Sequence, residues 1–426
     1  MAWLIVLLFV LIIFRVPIAF GLSFVAFLGI MLVDPSLLIN IPRRMFNGID
    51  SFTLVAIPLF ILAGELMTQG GISKRLVKFS QTLVGHLPGG LALVVVLASM
   101  FFSALTGTAI AAAAAIGGMM IPAMNKEGYD IRFSTSLVAT SATIGPIIPP
   151  SIVLILYGVI ASVSIGDLFV AGVLPGVLMG AGLMIYSYYV GKKKNYRSRA
   201  ERASLKEVLI GAKDAVLALI MPFIIIGGIV SGIFTATESG VVAVLYALII
   251  GKFVYKELEL KALWRILLNT AKTTAIIIFL IGNAALFVWF LSYNSIPDQM
   301  INLMGGISDN PILLLLIINV ILLIAGTFID TISAVSIFAP LFLPLVLAAG
   351  IDPIHFGIIL AVNLTIGMVT PPLGVCLFVT ASIGKISVPS MFKYLIPQIL
   401  ILIAILTIIT YLPELILFPV NLFNGS

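Results

Sequence analysis

The chain has 426 residues, 61% of them hydrophobic and 9% charged, with a mean hydropathy of +1.26 and a formal charge of +6. Soluble domains are closer to half apolar and a quarter charged, so this composition excludes an ordinary water-soluble enzyme or binding module and describes a chain solvated by lipid. The basic excess is no nucleic-acid signature, because most of it sits in loops, where it reports topology. One cysteine, Cys376, lies in an apolar run, which excludes a disulfide framework and a cysteine-based metal motif.

Residues 2–14 open the chain as an apolar run with no basic segment before it and no small-residue cleavage site after it. They read as the first helix of the mature protein. The first apolar stretch runs on to 33 with Arg15 inside it. Residues 37–50 mix charge with apolar positions and read as an amphipathic interfacial helix. Apolar stretches follow at 52–68 (containing Glu65), 88–124, 133–161 and 167–190. The segment 191–207, GKKKNYRSRAERASLKE, carries seven basic residues against two acidic ones, so the positive-inside rule makes it cytoplasmic. The second half has apolar stretches at 213–232, 237–254, 272–292, 311–348, 354–383 and 394–418, with a second amphipathic segment at 256–270. Several stretches are too long for one span and too short for two, which predicts re-entrant hairpins or helices broken in mid-membrane.

The polar segment falls near the midpoint, and the two sides of it match. Displacing the sequence by 222 pairs Pro122 with Pro344, Gly128 with Gly350, Asp130 with Asp352, and TIGPIIPP at 143–150 with TIGMVTPP at 365–372. Ten identities fall within the 32 positions 122–153, where chance gives about two or three. The expected organisation is a first repeat at 1–190, a cytoplasmic linker at 191–212 and a second repeat at 213–426. The hairpins are expected around 88–124 and 311–348, and the broken helices around 133–161 and 354–383. The expected fold class is an all-α polytopic membrane protein of two inverted-topology repeats. Inversion needs an odd number of crossings per half; an even number leaves the halves parallel.

A glycine followed by two adjacent prolines cannot continue a helix, since each proline removes a donor and clashes with the turn before it. The carbonyls so freed are tolerated in a membrane only where they line a cavity or bind something. Thr140, Ser141, Thr143 and Ser151 add hydroxyls to the first break; Asn363, Thr365 and Thr370 add polar groups to the second. Unwound carbonyls with hydroxyls suit a small hard cation such as Na+, and helix N-termini suit a carboxylate. Structural kinks are the plain alternative, weakened by two copies at one offset. Polar interruptions precede both breaks, at 103–108 and 326–331, and 108 displaced by 222 is 330. They fit hairpin tips and also close helix packing, which is the better reading of the AAAAAIGG run at 111–118.

Among intramembrane charges Asp330 is the strongest candidate cation ligand. Glu65 and Glu238 fit an interfacial position, or pairing with each other or with Arg15. His86 and His355 read as loop or helix-end residues. HExxH, GxSxG and GxxxxGK[ST] patterns are all missing, which argues against a hydrolase and against ATP-driven transport. An ion gradient or a partner must then supply the energy. A channel is a further class, but two unequal broken helices in one chain favour alternating access.

Five stretches together carry a family resemblance: RVPIAFGL at 15–22, GIDSFTLVAIPLFILAGELM at 48–67, TIGPIIPPSI at 143–152, GGIVSGIFTATES at 227–239 and NLTIGMVTPPLG at 363–374. The chain resembles, over nearly its whole length, the large DctM-type permease subunit of tripartite ATP-independent periplasmic (TRAP) transporters. It departs from that pattern at 103–108, where family members often carry Ser-Gly-Ser; hydroxyl chemistry is kept. The resemblance implies a bacterial inner-membrane permease, coupled to Na+ at two or more sites, moving a small organic carboxylate of the sialic acid or C4-dicarboxylate class by an elevator mechanism. It leans towards sialic acid. It also implies a periplasmic binding protein and a small four-helix membrane subunit as partners, alongside the lipid bilayer. Carried over by position, the Na+ ligands are Ser103, Thr106 and Gly107 with Thr143 and Gly145, and Gly326, Thr327 and Asp330 with Thr365 and Gly367. The substrate positions are Thr108, Pro150, Ser151, Asn363, Thr370 and Pro372. The alternatives are a stand-alone Na+- or H+-coupled organic anion symporter without a binding protein, and an ion channel.

Overall fold

The computed structural model describes residues 3–14, 16–196, 202–296, 299 and 310–424. Arg15 lies outside them, as do 197–201 of the polar segment. The described residues are helical, with no strand among them, and nine of their helices are long and apolar enough to cross a membrane.

Pro17 splits the first apolar stretch into α1 (Trp3–Ile13) and α2 (Ile18–Val33). The amphipathic segment that follows forms α3 (Ile41–Ile49), with α4 (Ala56–Gln69) and α5 (Ile72–Val84) after it. Next come α6 (Gly90–Thr106) and α7 (Ala109–Lys126), joined by only Gly107 and Thr108. Arms of this length rise about 26 Å, so they form a hairpin nearly as deep as a hydrocarbon core. Then α8 (Ile131–Ala142) and α9 (Ile152–Ala161) flank the TIGPIIPPS break, and α10 (Ile165–Lys193) closes the half.

The second half starts with α11 (Leu205–Val230), so helix occupies 191–193 and 205–212 of the segment between the halves. Ser204 and Glu207 form a capping box that starts α11, and Thr235 with Glu238 forms another at α12 (Ala236–Ile249). Glu238 is thereby occupied as an exposed helix cap, its carboxylate accepting from the Thr235 amide at 2.7 Å. The second amphipathic segment is no separate helix: residues from Leu260 run straight into the span as α13 (Leu260–Tyr293). No glycine or proline occurs before Gly282, so nothing ends the helix. The second hairpin is α14 (Pro311–Phe328) and α15 (Thr331–Ala348), joined by Ile329 and Asp330. The second broken pair is α16 (Pro353–Gly367) and α17 (Val375–Gly384), followed by α18 (Phe392–Tyr411) and α19 (Pro413–Asn424).

The identities at spacing 222 occupy matching structural positions. Asp130 and Asp352 both cap helix starts, accepting from the amides of Arg132 and of Ile354 and His355. Gly128 and Gly350 both take the left-handed turn before those caps, with φ of 82° and 73°. Both Pro-Pro bonds, 149–150 and 371–372, are cis. The halves also interlock. Tyr157 of α9 packs on Gly357 of α16 and donates to the Pro353 carbonyl at 2.6 Å. Gln398 of α18 accepts from the Thr140 hydroxyl of α8 at 3.0 Å. Such buried interhelical hydrogen bonds orient helices where lipid supplies no hydrophobic drive.

Candidate substrate and ion site

Each hairpin tip is pressed against the break of its own half. Gly107 ends α6 in the left-handed region at φ 61°, and a Cβ there would lie 2.5 Å from the Pro150 carbonyl oxygen, so only glycine fits. Gly145 meets the tip from the other side, with its Cβ position 2.8 Å from the Thr108 oxygen. In the second half a Cβ on Gly367 would sit 2.5 Å from Gly326 Cα. The Gly374 amide donates to the Thr327 carbonyl at 3.2 Å, and the Thr331 hydroxyl reaches Met368 Sδ at 2.9 Å.

These contacts gather four helix ends at each junction. In the first half the C-termini of α6 and α8 meet the N-termini of α7 and α9. In the second half, α14 and α16 end where α15 and α17 begin. Helix C-termini present unpaired carbonyls and partial negative charge, which favours a cation; N-termini present N–H groups and favour an anion. The hydroxyl geometry repeats as well. Thr143 donates to the Thr140 carbonyl at 2.7 Å, and Thr365 donates to the Val362 carbonyl at 2.8 Å. Each proton is thus committed to the last helical turn, leaving oxygen lone pairs for a cation.

A cavity of about 440 Å³ lies between the tips and the helices α4 and α13. Thr106, Gly107 and Thr108 from the first tip and Asp330 and Thr331 from the second line it, facing Gly64, Glu65, Thr68 and Thr273. A Cβ on Gly64 would lie 3.2 Å from Thr106 Cα, so α4 rides directly on the first tip. Asp330 both lines the cavity and caps α15, its Oδ1 accepting from the Ser333 amide at 3.1 Å. Among the described residues of the lining there is no Lys, Arg or His.

The remaining sequence candidates lie behind this surface. Thr143, Gly145, Gly326, Thr327, Thr365 and Gly367 are buried at the tip–break junctions, and Ser103 is buried one turn up, donating to the Ser99 carbonyl at 2.5 Å. Of the substrate candidates only Thr108 faces the cavity. Ser151 caps α9 through the Leu154 amide, Pro150 packs on Gly107, Thr370 donates to the Ile366 carbonyl, and Pro372 is exposed on the second break. Asn363 turns away to α14, where its Nδ2 donates to Asn319 Oδ1 at 2.6 Å, and Asn319 in turn donates to Thr410. Replacing Asn319 with alanine should cost about 1–2 kcal/mol, read as a lower thermal midpoint in detergent, because it strips a buried amide of its side-chain partner. An unchanged midpoint would show that the Asn319 carbonyl, at 3.1 Å, suffices.

Two features escaped sequence reasoning. His355 is buried with Nε2 2.9 Å from the Ile409 carbonyl oxygen, tying α16 to α18. Thr68 and Thr273 reach the cavity from distant helices; only the Glu65-to-Thr68 spacing, one helical turn, hinted at a shared face.

The family described as the tripartite ATP-independent periplasmic transporter, DctM component, matches residues 5–415. The chain belongs to the DctM family. The family is a transporter permease and not an enzyme, and with its apolar helices the chain is a multi-pass inner-membrane protein. The permease is 39% identical over 409 residues, 96% of each chain, to the sialic acid TRAP transporter large permease protein SiaM of Vibrio cholerae. It is 41% identical over 403 residues to the isethionate TRAP transporter permease protein DctMQ of Oleidesulfovibrio alaskensis, covering 95% of this chain and 64% of that one. Its fold is similar to that of the Alcanivorax borkumensis YdaH transporter, with a TM-score of 0.63 at 14% identity over 92% of this chain and 90% of that one.

Proposed function

We propose that the permease carries a small organic anion into the cell, driven by Na+, by elevator-type alternating access between inversely inserted repeats. The observation that carries this reading is the pair of tip–break junctions, where opposed helix ends flank a cavity with no basic side chain among its described residues. An anion placed there has helix N-termini, hydroxyls and bound cations to hold it, so binding of substrate depends on the cation. One Na+ sits among Ser103, Thr106, Gly107, Thr143 and Gly145, and another among Gly326, Thr327, Asp330, Thr365 and Gly367. Substrate occupies the cavity at Thr108 and its neighbours. Gly64 lets α4 pack closely on the first tip, where the moving unit would pass it. A periplasmic binding protein delivers the cargo, and a small four-helix subunit accompanies the permease. The sialic acid relative and the C4-dicarboxylate TRAP permeases of Pseudomonas aeruginosa and Rhodobacter capsulatus, 40% and 36% identical, support a small organic acid of either class, and sialic acid is the first cargo to test.

The deciding measurement is uptake of N-acetylneuraminate and isethionate by proteoliposomes holding the permease with its membrane subunit and binding protein. Saturable uptake that collapses when K+ replaces an inward Na+ gradient is expected. Uptake indifferent to sodium, or an ohmic current, would overturn the proposal.

A further inference from the structure

Glu65 is the acid of the cavity that no described group holds. It lies on α4 with Ile61 and Thr68, half-buried, and makes no hydrogen bond or ion pair with any described residue. The other acid in the lining, Asp330, accepts from the Ser333 amide of α15, but no such donor reaches Glu65. A carboxylate withdrawn from bulk water is costly unless it gains hydrogen-bond donors or a counter-charge. The described lining offers it no Lys, Arg or His, and the nearby Thr68 hydroxyl is committed to the Gly64 carbonyl at 2.7 Å. Hydroxyl or amide donors on the cargo would meet that need.

We infer that Glu65 is a specificity-determining residue that accepts hydrogen bonds from the uncharged end of the transported acid, so that the cavity takes hydroxylated mono-acids and rejects plain dicarboxylates. The inference rests on the transport reading above. With the anionic head at the tips and helix starts, hydroxyl or amide donors on the remainder of the cargo satisfy Glu65. A second carboxylate in that place meets a like charge in a confined, poorly hydrated space. Specificity is a difference of affinities, and a built-in repulsion against the wrong ligand contributes to it alongside attraction for the right one. Discrimination then resides in the permease itself and not solely in whatever delivers the cargo.

The test uses the full chain in lipid nanodiscs at saturating sodium, titrated with N-acetylneuraminate, gluconate, isethionate and succinate while thermal stabilisation is followed. At least one of the three hydroxylated mono-acids should half-saturate at a concentration tenfold or more below succinate. Glu65→Gln keeps the shape and removes the charge, and should cut that ratio at least fivefold, chiefly by improving succinate. Glu65→Asp should fall between the two, and carries the test if Glu65→Gln does not fold. Equal binding of succinate by the unaltered chain, or an unchanged ratio in both variants, would overturn the inference. So would an unchanged acid ratio accompanied by a shifted sodium half-saturation in a parallel sodium titration, which would make Glu65 a cation ligand. No response to any of the four acids counts against the transport reading as well.

Discussion

Uptake should fall at least tenfold when Gly367 is replaced by alanine, although the change adds a single methyl group. That methyl would be placed 2.5 Å from Gly326 Cα and carbonyl carbon and 2.9 Å from its oxygen. All three are backbone atoms, so no side-chain rotation relieves the overlap, and α14 must shift away from α16. Overpacking of this sort costs about 1–3 kcal/mol in a close-packed interior. The consequence here exceeds stability, because the same approach positions the Thr327 carbonyl under the Gly374 amide and brings Thr331 to Met368. Separating the helices opens the second junction, and with it the proposed second cation site. Gly118→Ala is the control: a Cβ there has nothing within 4 Å, and alanine is the better helix former. It should transport normally and be as stable or slightly more so. Equal activity in the two variants would show that the Gly326–Gly367 contact is incidental.

Asp330→Asn should raise the sodium concentration for half-maximal uptake at least tenfold while leaving the thermal midpoint nearly unchanged. The two effects separate because Asp330 has two tasks. As a helix cap it accepts from the Ser333 amide, and asparagine caps about as well. As a cavity-lining carboxylate it contributes the charge that the proposed sodium site needs, and the amide does not. Asp330→Ala would lose both and should be less stable by about 1 kcal/mol. Wild-type sodium dependence in the asparagine variant would confine Asp330 to capping and remove it from the site.

The two breaks and their pairing were legible from the residues because glycine and proline act on the chain locally. A Pro-Pro pair ends a helix wherever it stands, so TIGPIIPP and TIGMVTPP announced both interruptions, and the offset of 222 linked them. The hairpin tips showed as small and hydroxyl residues interrupting long apolar runs, whereas the left-handed turn at Gly107 and the helix cap at Asp330 came with the structure. Residue type alone did not separate groups facing a cavity from those facing a neighbouring helix. Asn363 and Ser151 had the chemistry of substrate ligands, yet Asn363 bonds to Asn319 and Ser151 caps α9. Glu238 resembled Glu65 as an acid beside an apolar run, and became a capping-box partner while Glu65 came to face the cavity.

What the sequence determined by itself, therefore, was lipid solvation, two matched halves and the places where each backbone must break, since these follow from hydropathy and backbone sterics within a few residues. The tertiary structure alone decided which freed groups converge. Convergence depends on the approach of helices far apart in the chain, such as α4 on the first tip and α14 on α16, and that approach is set by backbone contacts at Gly64, Gly326 and Gly367. A glycine declares room for such a contact, but the partner that fills it is a property of the fold.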